Sequence, residues 1–357
     1  MTLRKICGLS SSLVCHRRFL HDTKARSSRV FSGVQPTGNL HLGNYFGAIQ
    51  RWVELQETDK ELIFCIVDLH SLTVPQRRAD LSANITRLTA GLLACGIDPE
   101  RATLFLQSAV PQHTQLGWVL SCLTTMPRLG QLPQYREKAA EHGEVPLGLY
   151  LYPVLQAADI LLYSQEQTEV PVGQDQLQNI QLAQHLGKAF NRQFGKLFPH
   201  PKAVVDEDAG GRVRSLRDPS RKMSKSDPDS RSCVYLNDPP ERIRSKLKLA
   251  LTDFTSEVFA SPERPAVTAL MTLHALAAGL TLEGVRSAAA GLTTAQYKLL
   301  LADVLAERLA PVRDAWARLE AEPRYLSQVL ERGRQRAAEE AEVTWRAVVD
   351  RVQLRLS

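Results

Sequence analysis

Between Val30 and about residue 197, short apolar runs alternate with longer segments whose apolar positions recur every three to four residues. That alternation predicts an α/β fold, a parallel sheet covered by helices. The first apolar run ends at Val34 and breaks at Pro36 and Gly38, and Gly43 stands at the mouth of a helical segment running to Leu55. Residues 61–67 read as a buried strand, 79–95 as a helix stopped by Gly96, and 102–107 as the next strand. Residues 149–163 form a helix that is apolar all round except for Gln156 and Asp159. A short strand over 169–172 leads into the polar turn Gly173-Gln174-Asp175-Gln176 and a helix to about Phe190. Beyond about Asn237 no strand pattern survives, and 239–251, 266–279, 293–309 and 311–356 predict a helical bundle.

Charge changes the picture only at the front. The 357 residues carry a formal net charge of +6. Residues 1–29 hold Arg4, Lys5, Arg17, Arg18, Lys24, Arg26 and Arg29 against the single acid Asp22, so the remainder is about neutral and any basic surface must come from local clustering. An acid-poor leader rich in Arg, Ser and small apolar residues predicts a mitochondrial transit peptide and a matrix location; the alternative is a basic arm that touches RNA. The apolar run from Gly8 to Val14 is too short and too Ser-broken for a secretory signal, and nothing downstream approaches the ~20 apolar residues of a membrane span. Six cysteines, none in a Cys-x-x-Cys pair, read as buried reduced thiols without a disulfide frame or a zinc ribbon.

Two polar segments stand out against this background. A strand that breaks into a helix over Phe31 to Asn44 presents free backbone N–H groups to an anion. Lys222-Met223-Ser224-Lys225-Ser226-Asp227 places two ammonium groups on a loop, which suits a pyrophosphate that gains charge as it leaves. Asp68 and His70 fall at the carboxyl end of a strand, where ligands of open α/β sheets gather, and a cap and a satisfied loop His are the equal alternatives. Asp159 is the anomaly, because a carboxylate in a buried helix needs a donor. That donor is either an internal Tyr or Arg or the ligand itself.

Together these segments resemble the class I aminoacyl-tRNA synthetases, and specifically the bacterial-type or organellar tryptophanyl-tRNA synthetase family. The resemblance runs from about Arg29 to the C-terminus. It is carried by Gly33-x-Gln35-Pro36-Thr37-Gly38-x-x-His41-x-Gly43-Asn44-Tyr45, by Lys222 to Ser226, by Tyr152-Pro153-x-x-x-Ala157-Ala158-Asp159-Ile160-Leu161 and by Val170-Pro171-Val172-Gly173-x-Asp175-Gln176. It implies a Rossmann-like doubly wound catalytic domain over 30–235 and a helical anticodon-binding domain over 236–357. It also implies a homodimer with tRNA(Trp) as partner and no membrane insertion, and ATP with Mg2+ as the nucleotide species, with no protein-held metal.

The family's roles transfer to matching positions. Lys222, Lys225, His41 and Asn44 would serve the chemistry. Gln35, His41, Leu42, Gly43, Asn44, Lys138, Gly173, Gln174, Asp175, Val213 and Lys222 to Ser226 (with Met223, Ser224 and Lys225) would hold ATP. Asp159 would accept the indole N–H, and Phe31, Gly33, Gln35, His70, Val170, Val172 and Gln176 would complete the tryptophan pocket. The sequence departs from the family at Gln174, where an acid is common, at Gln156, where many bacterial members have Met, and in a slightly long 164–169 loop. Rival readings are a tyrosyl-tRNA synthetase, a small-molecule nucleotidyltransferase sharing the His-x-Gly turn, and a catalytically idle RNA-binding relative.

Overall fold

The computed structural model describes residues 28–73, 78–140, 144–164, 167–205, 213–225 and 227–354, the side chains of 78, 79, 138 and 140 excepted. Strand β1 (Arg29–Val34) leads through α1 (Leu42–Asn44), a π-helical turn (Tyr45–Ile49) and α2 (Gln50–Leu55) to β2 (Glu61–Ile66). Next come α3 (Asp68–Ser71), α4 (Arg78–Ala94) and β3 (Ala102–Leu106), then α5 (Gln112–Ser121), α6 (Met126–Gly130), α7 (Pro133–Ala140) and α8 (Leu147–Leu162). β4 (Thr168–Val172), α9 (Leu177–Phe194) and β5 (Lys202–Val205) complete the sheet. The helices α10 (Pro240–Lys248), α11 (Pro265–Ala278), α12 (Leu282–Ala288), α13 (Thr294–Glu320) and α14 (Pro323–Val352) follow.

The sheet runs β3-β2-β1-β4-β5 with every neighbouring pair parallel. The chain therefore leaves the central strand β1 toward β2 and β3, then returns to its other side with β4. That reversal opens a crevice beyond the carboxyl ends of β1 and β4. Both faces are apolar, and the strands alternate between them. Val30, Leu62, Phe64, Ile66 and Leu104 enter one core, which also holds the buried side chains of α11 and α13. Phe31, Ile63, Cys65, Phe105 and Val170 enter the other, against α5, α8 and α9.

The last helix closes the sheet's edge. Gly333 of α14 sits so near β3 that a Cβ there would lie 1.9 Å from the Leu104 carbonyl oxygen, so helix and strand touch backbone to backbone. Farther along α14, Glu340 meets Arg29 of β1 at 2.6 Å and Glu342 accepts from Gln112 of α5 at 3.0 Å.

Several expectations need correction. β1 begins at Arg29, one residue before the expected start of the strand, and Arg29 is buried with its guanidinium on Glu61; residues 1–27, where most of the expected leader falls, lie outside the described residues. The break expected at Pro311 is absent, and α13 continues to Glu320. Leu301, Leu305, Leu309, Val312 and Trp316 form one buried stripe across the proline, and that packing outweighs the single missing N–H. The chain turns instead at Ala321 and Glu322. β5 was not expected, because its four half-exposed or exposed residues show no alternation. Cys122 is exposed, whereas Cys65, Cys95 and Cys233 are buried. Gly96, with φ +106°, ends the helix before it as the pattern requires.

Candidate active site

The turn after β1 is built by reciprocal capping. The Asn44 side chain accepts from the His41 N–H at 3.1 Å, and the Asn44 N–H donates to His41 Nδ1 at 3.3 Å. Burial, with Lys225 adding to it, lowers the His41 pKa to about 4. The imidazole is therefore neutral at physiological pH, and because Nδ1 accepts, its hydrogen sits on Nε2. The π-helical turn that follows brings Ala48 and Ile49 to the cavity wall.

The 222–225 segment is laid against that turn. Lys225 Nζ donates to the Thr37 carbonyl at 2.8 Å, and the Cys233 thiol donates to the Ser224 carbonyl at 2.8 Å. The Met223 N–H donates to the Val213 carbonyl at 3.0 Å, with both side chains buried beneath the loop. Burial pulls the Lys225 ammonium down to about 8. Lys222 is exposed, paired through its backbone with Arg214. Ser226 and the side chain of Lys138 lie outside the described residues.

A cavity of about 570 Å³ opens at the crevice. Of the sequence candidates it gathers Phe31, Gly33, Gln35, Asn44, His70, Asp159, Val170, Val172, Gly173, Asp175, Gln176 and Lys225. Leu42, Met223 and Val213 are core side chains that can serve a nucleotide only through backbone. His41, Gly43, Gln174, Lys222 and Ser224 border the same turns without lining the cavity. Asp68 is not in the wall either; its carboxylate accepts from the Ser108 N–H at 3.0 Å.

Asp159 lies at the cavity floor, 2% exposed. The reading in which the ligand supplies its missing donor needs correction, because three donors come from the chain itself. Gln107 Nε2 and His113 Nδ1 both reach Oδ1 at 2.7 Å, and His70 Nε2 reaches Oδ2 at 2.8 Å. Burial alone would raise the carboxyl pKa; the hydrogen bonds from His113 and His70 reverse that and hold it well below the usual carboxylate range. A carboxylate has about four acceptor positions, so one on Oδ2 remains. His70 is thus both a satisfied buried His and a wall residue.

An amide network also lines the cavity. Tyr152 donates its hydroxyl to Gln134 Oε1 at 2.9 Å, while Gln134 Nε2 and Gln176 Nε2 donate to Asp175 Oδ2 at 2.9 and 3.0 Å. Asn179 Nδ2 lies within hydrogen-bond distance of the Gln134, Gln156 and Gln176 side-chain oxygens. Gln107, His113, Gln134 and Asn179 did not stand out in the sequence. The signal was present for two of them, since Gln107 follows β3 as Asp68 follows β2, and His113 is a polar residue in an apolar helix. Among the described residues no group of three or more His, Cys, Asp or Glu side chains is arranged to hold a metal.

A parallel sheet with its crevice at the strand reversal, a capped His-x-Gly-Asn turn and a Lys-bearing loop laid across it define a class I aminoacyl-tRNA synthetase. The family model for class I tRNA synthetases (W and Y) matches residues 23–282. The tryptophan–tRNA ligase of Gloeobacter violaceus is 43% identical over 93% of this chain and 98% of its own, and that of Bacillus subtilis 40% over 86% and 92%. Among solved structures, tryptophanyl-tRNA synthetase from Mycoplasma pneumoniae superposes with a TM-score of 0.78 at 31% identity, covering 92% of this chain and 98% of that one. The Campylobacter jejuni enzyme complexed with ADP and tryptophan gives 0.79 at 28%, covering 91% and 99%. The chain belongs to the class I tRNA synthetases for tryptophan and tyrosine, and within them to the bacterial-type tryptophanyl-tRNA synthetases.

Proposed function

We propose that this tryptophan–tRNA ligase works in the mitochondrial matrix, with the tryptophan ring seated on Asp159 and ATP laid along the turn after β1. The observation that carries the site assignment is a single cavity lined both by Asp159 and by Lys225 clasped to Thr37. The open acceptor position on Asp159 Oδ2 takes the indole N–H. Phe31, Gly33, Val170 and Val172 supply the apolar wall, and Gln176 faces the amino-acid backbone. His41 Nε2, the Asn44 side-chain amide and the Gly43 N–H hold the phosphates; Gly173 and Asp175 hold the ribose.

The tryptophan carboxylate attacks the α-phosphorus of ATP in line, forming the acyl–phosphate bond of tryptophanyl-adenylate as the bond to pyrophosphate breaks. Lys225 and Lys222 neutralise the departing charge, and no protein nucleophile is required. The adenylate then passes its acyl group to the 2′-hydroxyl of the terminal ribose of tRNA(Trp), releasing AMP. Phenylalanine lacks the N–H and leaves the remaining acceptor position of the buried Asp159 carboxylate unfilled, so it is disfavoured without an editing domain.

Amino-acid-dependent ATP–pyrophosphate exchange with tryptophan, tyrosine and phenylalanine tests this reading; equal activation of phenylalanine would overturn it. The matrix location is supported by the acid-poor leader, and a fluorescent reporter carrying residues 1–28 that stayed in the cytosol would remove it. A homodimer is supported by the exposed side chains of Leu72, Trp118, Met126 and Leu147 on neighbouring elements, and a monomer mass by light scattering would refute it.

A further inference from the structure

We propose that His113 and Tyr163 are positioning residues for amino-acid selectivity, aiming the Asp159 carboxylate so that one acceptor position faces the cavity. The proposal rests on the reading of Asp159 as the indole acceptor. Neither residue lines the cavity, and His113 is wholly buried in α5 among apolar neighbours. Its Nδ1 lies 2.7 Å from Asp159 Oδ1 and its Nε2 lies 3.0 Å from the Tyr163 hydroxyl. Burial pushes that hydroxyl far above the ordinary tyrosine range, so it stays protonated and serves as a donor. Donating to Nε2, it places the ring hydrogen on Nδ1, where the ionised carboxylate needs it.

Tyr163 is itself held from three sides. Its ring stacks on Phe31 of the cavity wall at 5.6 Å, its carbonyl accepts from Arg29 Nη1 at 2.9 Å, and its hydroxyl meets His113. The Gln107 amide is oriented in the same way, its oxygen accepting from the Leu69 N–H at 3.2 Å and its nitrogen donating to Oδ1. Two donors on Oδ1 and one on Oδ2 keep the carboxylate from turning. Without the Tyr163 hydroxyl, His113 keeps its hydrogen on Nδ1 for the carboxylate but loses the partner that holds Nε2. The ring is then free to tilt, the Nδ1 donor turns on Oδ1, and the acceptor shifts off the indole.

The test is pyrophosphate exchange by the full-length chain with tryptophan and with β-(3-benzothienyl)alanine, which carries sulfur where the indole has N–H. The unmutated enzyme should strongly prefer tryptophan. In Tyr163→Phe, which keeps the ring stacking, the tryptophan-to-analogue ratio of kcat/KM should fall about fivefold, the effect of one lost hydrogen bond. The fall should appear in the KM for tryptophan, with the KM for ATP unchanged. His113→Gln should lower the ratio in the same direction. An unchanged ratio in both variants, or an equal loss with both substrates, overturns the positioning role while leaving Asp159 as the acceptor. No preference for tryptophan in the unmutated enzyme overturns both.

Discussion

The Lys225 ammonium donates to the carbonyl of Thr37 at 2.8 Å, across 188 residues of chain. This contact sets a cation directly on the turn capped by His41 and Asn44, where the proposed phosphates lie. It also buries the ammonium, and burial is what lowers its pKa to about 8.

A basic limb in the pH profile follows. As pH rises through about 8 the amine loses its proton and with it the charge proposed to stabilise departing pyrophosphate. kcat/KM for ATP should therefore decline above about pH 8, and Lys225→Arg should move the limb upward because guanidinium keeps its charge. Lys225 binds fewer protons folded than unfolded between about 8 and the ordinary lysine value, so its contribution to stability rises with pH in that window. Melting temperatures measured alongside the rates separate the two effects. A profile that is flat to pH 9 would show that the ammonium keeps its proton at this site, and Lys225→Ala with unchanged activation would remove it from the chemistry.

Asp159→Asn should cost stability as well as activity. The carboxylate accepts on both oxygens, from Gln107 and His113 on one and His70 on the other. An amide has a single acceptor oxygen, so its NH2 must face at least one of these donors. We expect a loss of about 1–3 kcal/mol in denaturant unfolding, together with a ten- to hundredfold fall in tryptophan activation. Unchanged stability would mean that the histidines reorganise freely and that the site is less rigid than its distances indicate.

Gly333→Ala tests how the last helix is seated. A methyl group there would stand 1.9 Å from the Leu104 carbonyl oxygen, a backbone atom with no room to yield. The helix must lift from β3, and a loss of about 3 kcal/mol is expected by thermal or denaturant unfolding. A melting temperature equal to that of the unmutated chain would contradict the backbone contact.

The sheet's first four strands were legible as apolar runs and the long helices by their period of 3.6, because both follow directly from burial. β5 was not, because an edge strand with half-exposed residues leaves no period to read. Pro311 misled for a related reason: a local rule about a missing N–H was overridden by a buried stripe that continues through it. At the site, Asp159 announced itself as a charge among apolar residues, yet its partners came from β3's end and α5, which only the folded chain brings together. Sequence alone left open an internal donor or a ligand for Asp159; the structure supplies three internal donors and still leaves a place for a fourth.

The pairing of Glu340 with Arg29 predicts how stability changes with pH. Burial pushes the Glu340 carboxyl up to about 7, Arg29 pulls against it, and the nearby Glu61, which shares the same guanidinium, adds to the rise. A carboxyl whose folded pKa is raised binds more protons folded than unfolded, so its contribution is fully present below the ordinary glutamate value and is lost as pH climbs through about 7. Glu340→Gln keeps the shape and removes the titration. In thermal melts from pH 5 to 7.5 the unmutated chain should lose stability relative to this variant as pH rises. Parallel melting curves for the two would show that Arg29 fully compensates the second carboxylate, and that α14 is anchored to β1 as firmly at neutral pH as in mild acid.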